Sequence, residues 1–149
     1  MRKIMIVDDN YLSAEGIEKN IDWEVLNAEI VHICYNGTSA IDAMKKEPVD
    51  LIISDIEMPD LDGISMSRQA LDINPMVKII LISAYDKFEY ARRALLLGAL
   101  DYIEKPLDYA YLIQKVKNAF ALMEKEQKNL QLLKQSRPLL TEKFFREIT

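Results

Sequence analysis

Short unbroken apolar runs alternate with stretches of helical periodicity along most of this chain. Ile4-Met5-Ile6-Val7 contains no polar residue, as expected of a central parallel strand covered on both faces. It stops at Asp8-Asp9. Asn10 can cap the helix that follows, with Leu12 and Ile17 expected on its inner face and Gly16 weakening it slightly. Trp23 falls in a long connection, where it is expected to cover the base of that helix. Ala28 to Cys34 reads as a second strand, Asn36-Gly37 as punctuation and Thr38 to Lys46 as a short helix. Val49 to Ile53 is a third, buried strand between Pro48 and the turn-rich Pro59-Asp60-Leu61-Asp62-Gly63. A helix then runs to about Asp72, and Lys78 to Ile82 is a fourth strand ending in Ser83. Asp86 with Glu89 resembles a capping box. It opens a helix whose apolar face is Phe88, Ala91, Ala94 and Leu95, closed by Gly98. Ala99 to Ile103 is the fifth strand, ending in Lys105-Pro106. Tyr109, Leu112, Ile113, Val116, Phe120 and Met123 recur at helical spacing and predict a strong last helix.

A strand followed by a helix, five times over, predicts an α/β fold: a parallel sheet with helices on both faces and right-handed crossovers. Beyond Met123 the pattern changes. Glu124 to Gln135 is charged and Gln-rich, Pro138 is expected to interrupt it, and Leu139, Leu140, Phe144, Phe145 and Ile148 form a short amphipathic piece. Residues 1–123 therefore read as one domain and 124–149 as a helical linker. The plainer alternative folds the tail back onto the last helix.

Composition narrows the function. Half of the 149 residues are apolar, enough for a real core, and the net charge of -5 argues against nucleic-acid binding by bulk electrostatics. The single cysteine, Cys34, excludes an internal disulfide and a cysteine-based metal site, and is expected to pack as a small apolar residue. The apolar run after Arg2-Lys3 is too short for a signal peptide, and no run approaches the roughly 20 residues of a membrane span. A soluble, cytoplasmic protein with no membrane association is expected.

The candidate chemistry lies at the strand ends, where open α/β sheets collect their ligands. The first strand contributes Asp8 and Asp9, the third Asp55, the fourth Ser83 and the fifth Lys105. Clustered carboxylates repel unless a cation sits between them, and hard oxygen donors suit Mg²⁺ better than zinc. A divalent ion and a lysine beside a carboxylate make an arrangement for receiving a phosphoryl group, the carboxylate attacking in line. Ser83 could then donate a hydrogen bond to a phosphoryl oxygen and move the loop before the fourth helix, which is a switch. The lone His32 lies in the second strand, away from this rim.

Asp8-Asp9, Asp55, Ser83-Ala84 and Lys105-Pro106, in that order, resemble the receiver domain of two-component response regulators over residues 1–123. The resemblance implies a flavodoxin-like (βα)5 doubly wound sheet of strand order 2-1-3-4-5. It implies that Asp55 is the phospho-acceptor, served by a sensor histidine kinase. Asp9, Asp55 and the backbone carbonyl of Glu57 would hold Mg²⁺, with Asp8 acting through water. Lys105, Ser83 and the Ala84 backbone would bind the phosphoryl group, Pro106 would follow a cis bond, and Tyr102 would be the switch aromatic. Homodimerisation on phosphorylation, through the face of the fourth and fifth helices, is the expected output. Ser83 stands where the wider family more often has Thr, which keeps the hydroxyl. Asp22-Trp23-Glu24, the segment Ser83 to Ala91 and Leu139 to Arg146 further resemble the AraC/YesN-type transcriptional regulators. In those a C-terminal helix-turn-helix domain, absent from this chain, binds DNA and carries the transcriptional role.

Two other classes are compatible with the residues. One is a Mg²⁺-dependent phosphatase or phosphotransferase with an aspartyl nucleophile, but those need an Asp two residues after it, where this chain has an outward-pointing Glu57. The other is an interaction module whose tail coils with a partner. The expectation is self-phosphorylation and dephosphorylation at Asp55, without turnover of a separate substrate.

Overall fold

The computed structural model describes residues 1–84 and 88–148, with the side chains of Phe88, Tyr90, Ala91, Ala94 and residues 136–148 outside the description. The elements are β1 (Arg2–Val7), α1 (Tyr11–Asn20), β2 (Ala28–Cys34), α2 (Gly37–Lys46), β3 (Leu51–Asp55), α3 (Gly63–Ile73), β4 (Lys78–Ser83), α4 (Phe88–Leu97), β5 (Asp101–Glu104) and α5 (Tyr109–Ile148). All strand pairs are parallel, in the order β2-β1-β3-β4-β5. This is the doubly wound order, in which the chain reverses direction between β1 and β3 and opens a crevice at their carboxyl ends.

The apolar runs form strands because both sheet faces are covered. Ile4, Met5, Ile6 and Val7 are all fully buried, as are Leu51, Ile52 and Ile53. Side chains alternate along each strand. Met5, Val7, Ile52, Ile79 and Leu81 join one cluster with Met44 and Met66 of α2 and α3. Ile4, Ile6, Ile53 and Ile80 are buried outside that cluster, as are Ile17 of α1 and Leu112 and Val116 of α5. Each such side chain contributes about 2 kcal/mol of transfer free energy. Cys34 is buried, its Sγ 4.0 Å from Met5 Sδ. Trp23 is buried and its Nε1 donates to the Ile17 carbonyl at 3.3 Å, the packing role expected of it.

Several expectations change. Leu12 is 79% exposed, and Ala14 with Ile17 forms the inner face of α1. Positions 12 and 17 lie about 140° apart around a helix, whereas 14 and 17 share a face. Leu95 is likewise exposed, and the proposed cap at Asp86 lies outside the described residues. β3 and β5 each start and end later than the apolar runs suggested. Gly98 sits at φ +112°, the left-handed position expected of it after α4. Pro138 lies within the span of α5. A proline removes one hydrogen bond and bends a helix without forcing the chain out of helical dihedrals. The chain divides into two units, Met1–Val116 and Lys117–Thr149. No helix among the described residues is long and apolar enough to cross a membrane.

Candidate functional site

The register of β1 on β3 sets Val7 opposite Ser54, so the residues that follow, Asp8 and Asp55, emerge side by side. Asp8 is 2% and Asp55 7% exposed, while Asp9 faces solvent. Asp8, Asp9 and Asp55 each place a carboxylate oxygen within 4.8 Å of the others. Lys105 follows β5, two strands away from β3, and its long side chain spans that gap. Its Nζ stands 3.2 Å from Asp55 Oδ2 and 3.6 Å from Asp8 Oδ2. The bond between Lys105 and Pro106 is cis.

Local sequence holds these groups in place. The Asn10 backbone N–H donates to Asp8 Oδ1 at 2.9 Å, and the Asn10 side chain caps α1 by accepting from Leu12 and Ser13. Behind Asp55, the chain turns so tightly that Gly63 lies against the Asp55 carbonyl. A Cβ at Gly63 would fall 2.3 Å from that oxygen. The Lys105 backbone N–H donates to the Ser83 carbonyl at 2.7 Å, tying the β5 end to the β4 end.

The electrostatics follow from burial. Removal from water pushes Asp8 up to about 6; the nearby Asp55 charge adds to this, while the Asn10 N–H and Lys105 oppose it. Burial also raises Asp55, against the lowering effects of Lys105 and the Glu57 N–H. Burial works to lower Lys105, but Asp55 and Asp8 outweigh it and hold the ammonium above its usual range. Among the described residues, three carboxylates against one ammonium leave an excess of negative charge at a half-open rim. All the donors are hard oxygens, and Asp9 faces water that a hydrated ion would keep. This donor set fits Mg²⁺.

The other expected site residues lie around this cluster. Glu57 is exposed in the turn after β3. With Asp9, Met58 and Asp62 it lines a hollow of about 430 Å³. Ser83 is fully buried at the end of β4, and its hydroxyl has no hydrogen-bond partner among the described residues. Ala84 follows it, exposed. Tyr102 lies opposite Leu81 in the β4–β5 register and packs, half-buried, against the core cluster. His32 is held in β2 by a 2.9 Å contact between Nε2 and the Glu47 carbonyl. Two close approaches were not anticipated: Gly63 under Asp55, and Gly37 against the Leu61 carbonyl. The Asp62-Gly63 and Asn36-Gly37 pairs were the available signals, since such dipeptides mark turns and glycine is used where backbone approaches closely.

An open five-stranded crevice with this acid cluster and lysine defines a receiver. The model of the response regulator receiver domain matches residues 4–117, and the chain belongs to that family. Its relatives include the transcriptional regulatory protein YesN of Bacillus subtilis, 28% identical over 126 residues that make up 85% of this chain and 34% of YesN. HptR of Staphylococcus aureus is 32% identical over 114 residues, 75% of this chain and 44% of HptR. Among solved structures, the REC domain of AraT, a response regulator from Geobacillus stearothermophilus, superposes with a TM-score of 0.80 at 34% identity, covering 85% of this chain and 98% of that one. A two-component transcriptional regulator AraC from Clostridium phytofermentans gives 0.77 at 29% identity, covering 87% and 99%. The chain thus spans less than half the length of these curated relatives. Receiver domains are regulatory modules rather than enzymes that turn over a separate substrate.

Proposed function

We propose that Asp55 accepts a phosphoryl group from a sensor histidine kinase and that this modification switches the domain. One observation carries the reading. Among the described residues two buried carboxylates pair with Lys105, and Asp55, at the end of the central strand β3, is the nearer at 3.2 Å against 3.6 Å for Asp8. An Asp55 oxygen attacks phosphorus in line, a P–O bond forms, and the P–N bond to the donor imidazole breaks as the ring takes up a proton. Lys105 moves from the carboxylate to the new phosphoryl oxygens, and the Ala84 N–H and Ser83 hydroxyl donate to them. Asp9, Asp55 and the Glu57 carbonyl would hold Mg²⁺, with Asp8 acting through water; when bound, the ion neutralises charge on the phosphoryl oxygens. Engagement of Ser83 draws Tyr102 inward and alters the face of α4 and α5, which favours a homodimer.

Residues 1–123 then act as the receiver and 124–149 as a helical linker. The relatives' greater length supports a longer cytoplasmic protein in which a C-terminal AraC-type helix-turn-helix domain binds DNA.

The test is intact mass after incubation with acetyl phosphate, with and without Mg²⁺, on wild type and Asp55→Asn. A single phosphoryl adduct needing both Mg²⁺ and Asp55 is expected. An adduct at full level in Asp55→Asn removes the assignment. Sedimentation with and without phosphate tests the dimer, and identical profiles count against it.

A further inference from the structure

Lys105 opens a short connection that ends in a contact outside the acid cluster. β5 ends at Glu104 and α5 starts at Tyr109, so Lys105 to Asp108 are all that joins them. One end is fixed by the Lys105 N–H, which donates to the Ser83 carbonyl at 2.7 Å. At the other end Asp108 caps α5: its Oδ1 accepts from the Ala110 N–H at 2.9 Å and its carbonyl from the Leu112 N–H at 3.0 Å. The first residue of α5 then lies against α1. The half-buried Tyr109 puts its hydroxyl into a notch that Gly16 leaves in α1. A Cβ at Gly16 would fall 2.3 Å from the hydroxyl oxygen but 3.5 Å from the ring carbon Cζ. Beside this contact is a cavity of about 330 Å³, lined by Ser13 and Ile17 of α1 together with Lys105, Leu107 and Tyr109.

We propose that Tyr109, seated in the Gly16 notch, is a positioning residue for Lys105: it sets the start of α5 on α1 and, through the connection, the place from which the ammonium reaches Asp55 and Asp8. The inference rests on the receiver reading given above, in which Lys105 binds the phosphoryl group. Lys105 reaches from β5 across to the end of β3, so where its Nζ lies follows from where its backbone is held. A ring driven out of the notch has the cavity to move into, and Lys105 lines that cavity. A displacement of about 1 Å is enough to slow a reaction that depends on the placement of a charged group.

The experiment uses Gly16→Ala, Tyr109→Phe and the Gly16→Ala/Tyr109→Phe double variant, with Gly16→Ala repeated in the Lys105→Ala background. The rate of the Mg²⁺-dependent acetyl phosphate reaction is followed by intact mass, and thermal melts report stability. Gly16→Ala is expected to slow the reaction roughly three- to tenfold. Tyr109→Phe is expected to stay within about twofold of wild type, because the ring remains. The double variant is expected to recover to about the same level, because with the hydroxyl gone the new methyl meets Cζ at 3.5 Å, an ordinary van der Waals contact. In Lys105→Ala, adding Gly16→Ala is expected to cost nothing further, since the group it displaces is already removed. All are expected to melt within a few degrees of their parents. A wild-type rate in Gly16→Ala, a loss that persists undiminished in the double variant, or the same fold-loss with and without Lys105 would each overturn the positioning role. Should Gly16→Ala not fold, Tyr109→Ala with and without Lys105 decides the matter by that last criterion. A wild-type protein with no Asp55-dependent adduct removes the receiver reading and this inference with it. A normal wild-type adduct with an unaffected Gly16→Ala removes the role of Tyr109 alone.

Discussion

Lys105 Nζ lies 3.2 Å from Asp55 Oδ2, an ion pair between residues 50 positions apart that spans two strands of the sheet. Burial pushes the Asp55 carboxyl up, and the Lys105 ammonium works against that rise. The ammonium is what favours the ionised carboxylate at the centre of the crevice.

Removing that ammonium has a kinetic signature. In Lys105→Ala the Asp55 carboxyl titrates higher still, and only its ionised form attacks phosphorus. The acid limb of the acetyl phosphate reaction is expected to move to higher pH, with the plateau rate reduced at least about tenfold. A pH–rate profile of wild type and variant checks this, and superimposable acid limbs would contradict it.

Asp8 makes the domain less stable at neutral pH. Its folded-state value of about 6 exceeds the ordinary 3.8, so between these values the folded protein binds more protons than the unfolded chain. Its favourable contribution is full below about pH 4 and lost as pH rises through about 6. A displacement of that size corresponds to at most about 3 kcal/mol. Asp8→Asn should therefore melt higher than wild type at pH 7.5 and lose the excess below pH 4, as thermal melts across pH will show.

Metal binding should act on the same repulsion. Mg²⁺ is expected to raise the melting temperature of wild type in proportion to the logarithm of its concentration once the site fills. In Asp9→Ala that rise is expected to vanish. An unchanged Mg²⁺ dependence would remove Asp9 from the ligand set.

Ser83 keeps a buried hydroxyl without a partner among the described residues. Such a group costs folding free energy until something accepts from it. Ser83→Ala is expected to be as stable as wild type or more so, by roughly 1 kcal/mol, in the unphosphorylated state. It should also uncouple phosphorylation from any change in sedimentation. Urea unfolding and sedimentation together test both halves.

Two glycines should respond oppositely to alanine. At Gly16 the new methyl meets the Tyr109 hydroxyl, the far end of a side chain that can swing away. Helix propensity also gains, so the net change should stay within about 1 kcal/mol. At Gly63 the methyl meets the Asp55 carbonyl and the Ile56 Cα, which cannot move without displacing the acceptor. Gly63→Ala should lose more than about 2 kcal/mol by urea unfolding and lose phosphorylation as well.

The sequence by itself determined the βα alternation and the identity of the groups at each strand end. Both are local properties: apolar runs flanked by Asp, Ser and Lys can be read without knowing which strands are neighbours. β2 was legible to the residue, from Ala28 to Cys34, because Gly and Asn punctuation bounds it. Helix faces were less legible. Leu12 looked internal because it is apolar, and only the packing of Ala14 and Ile17 turned it outward. The tertiary structure decided the distances. The β1–β3 register brings Asp8 beside Asp55, and the strand order brings Lys105 within reach of both. It also decided that Asp8 is buried and raised while Asp9, its neighbour in sequence, is exposed. Burial and pairing between residues tens of positions apart are properties of the whole packed sheet, and no local pattern encodes them.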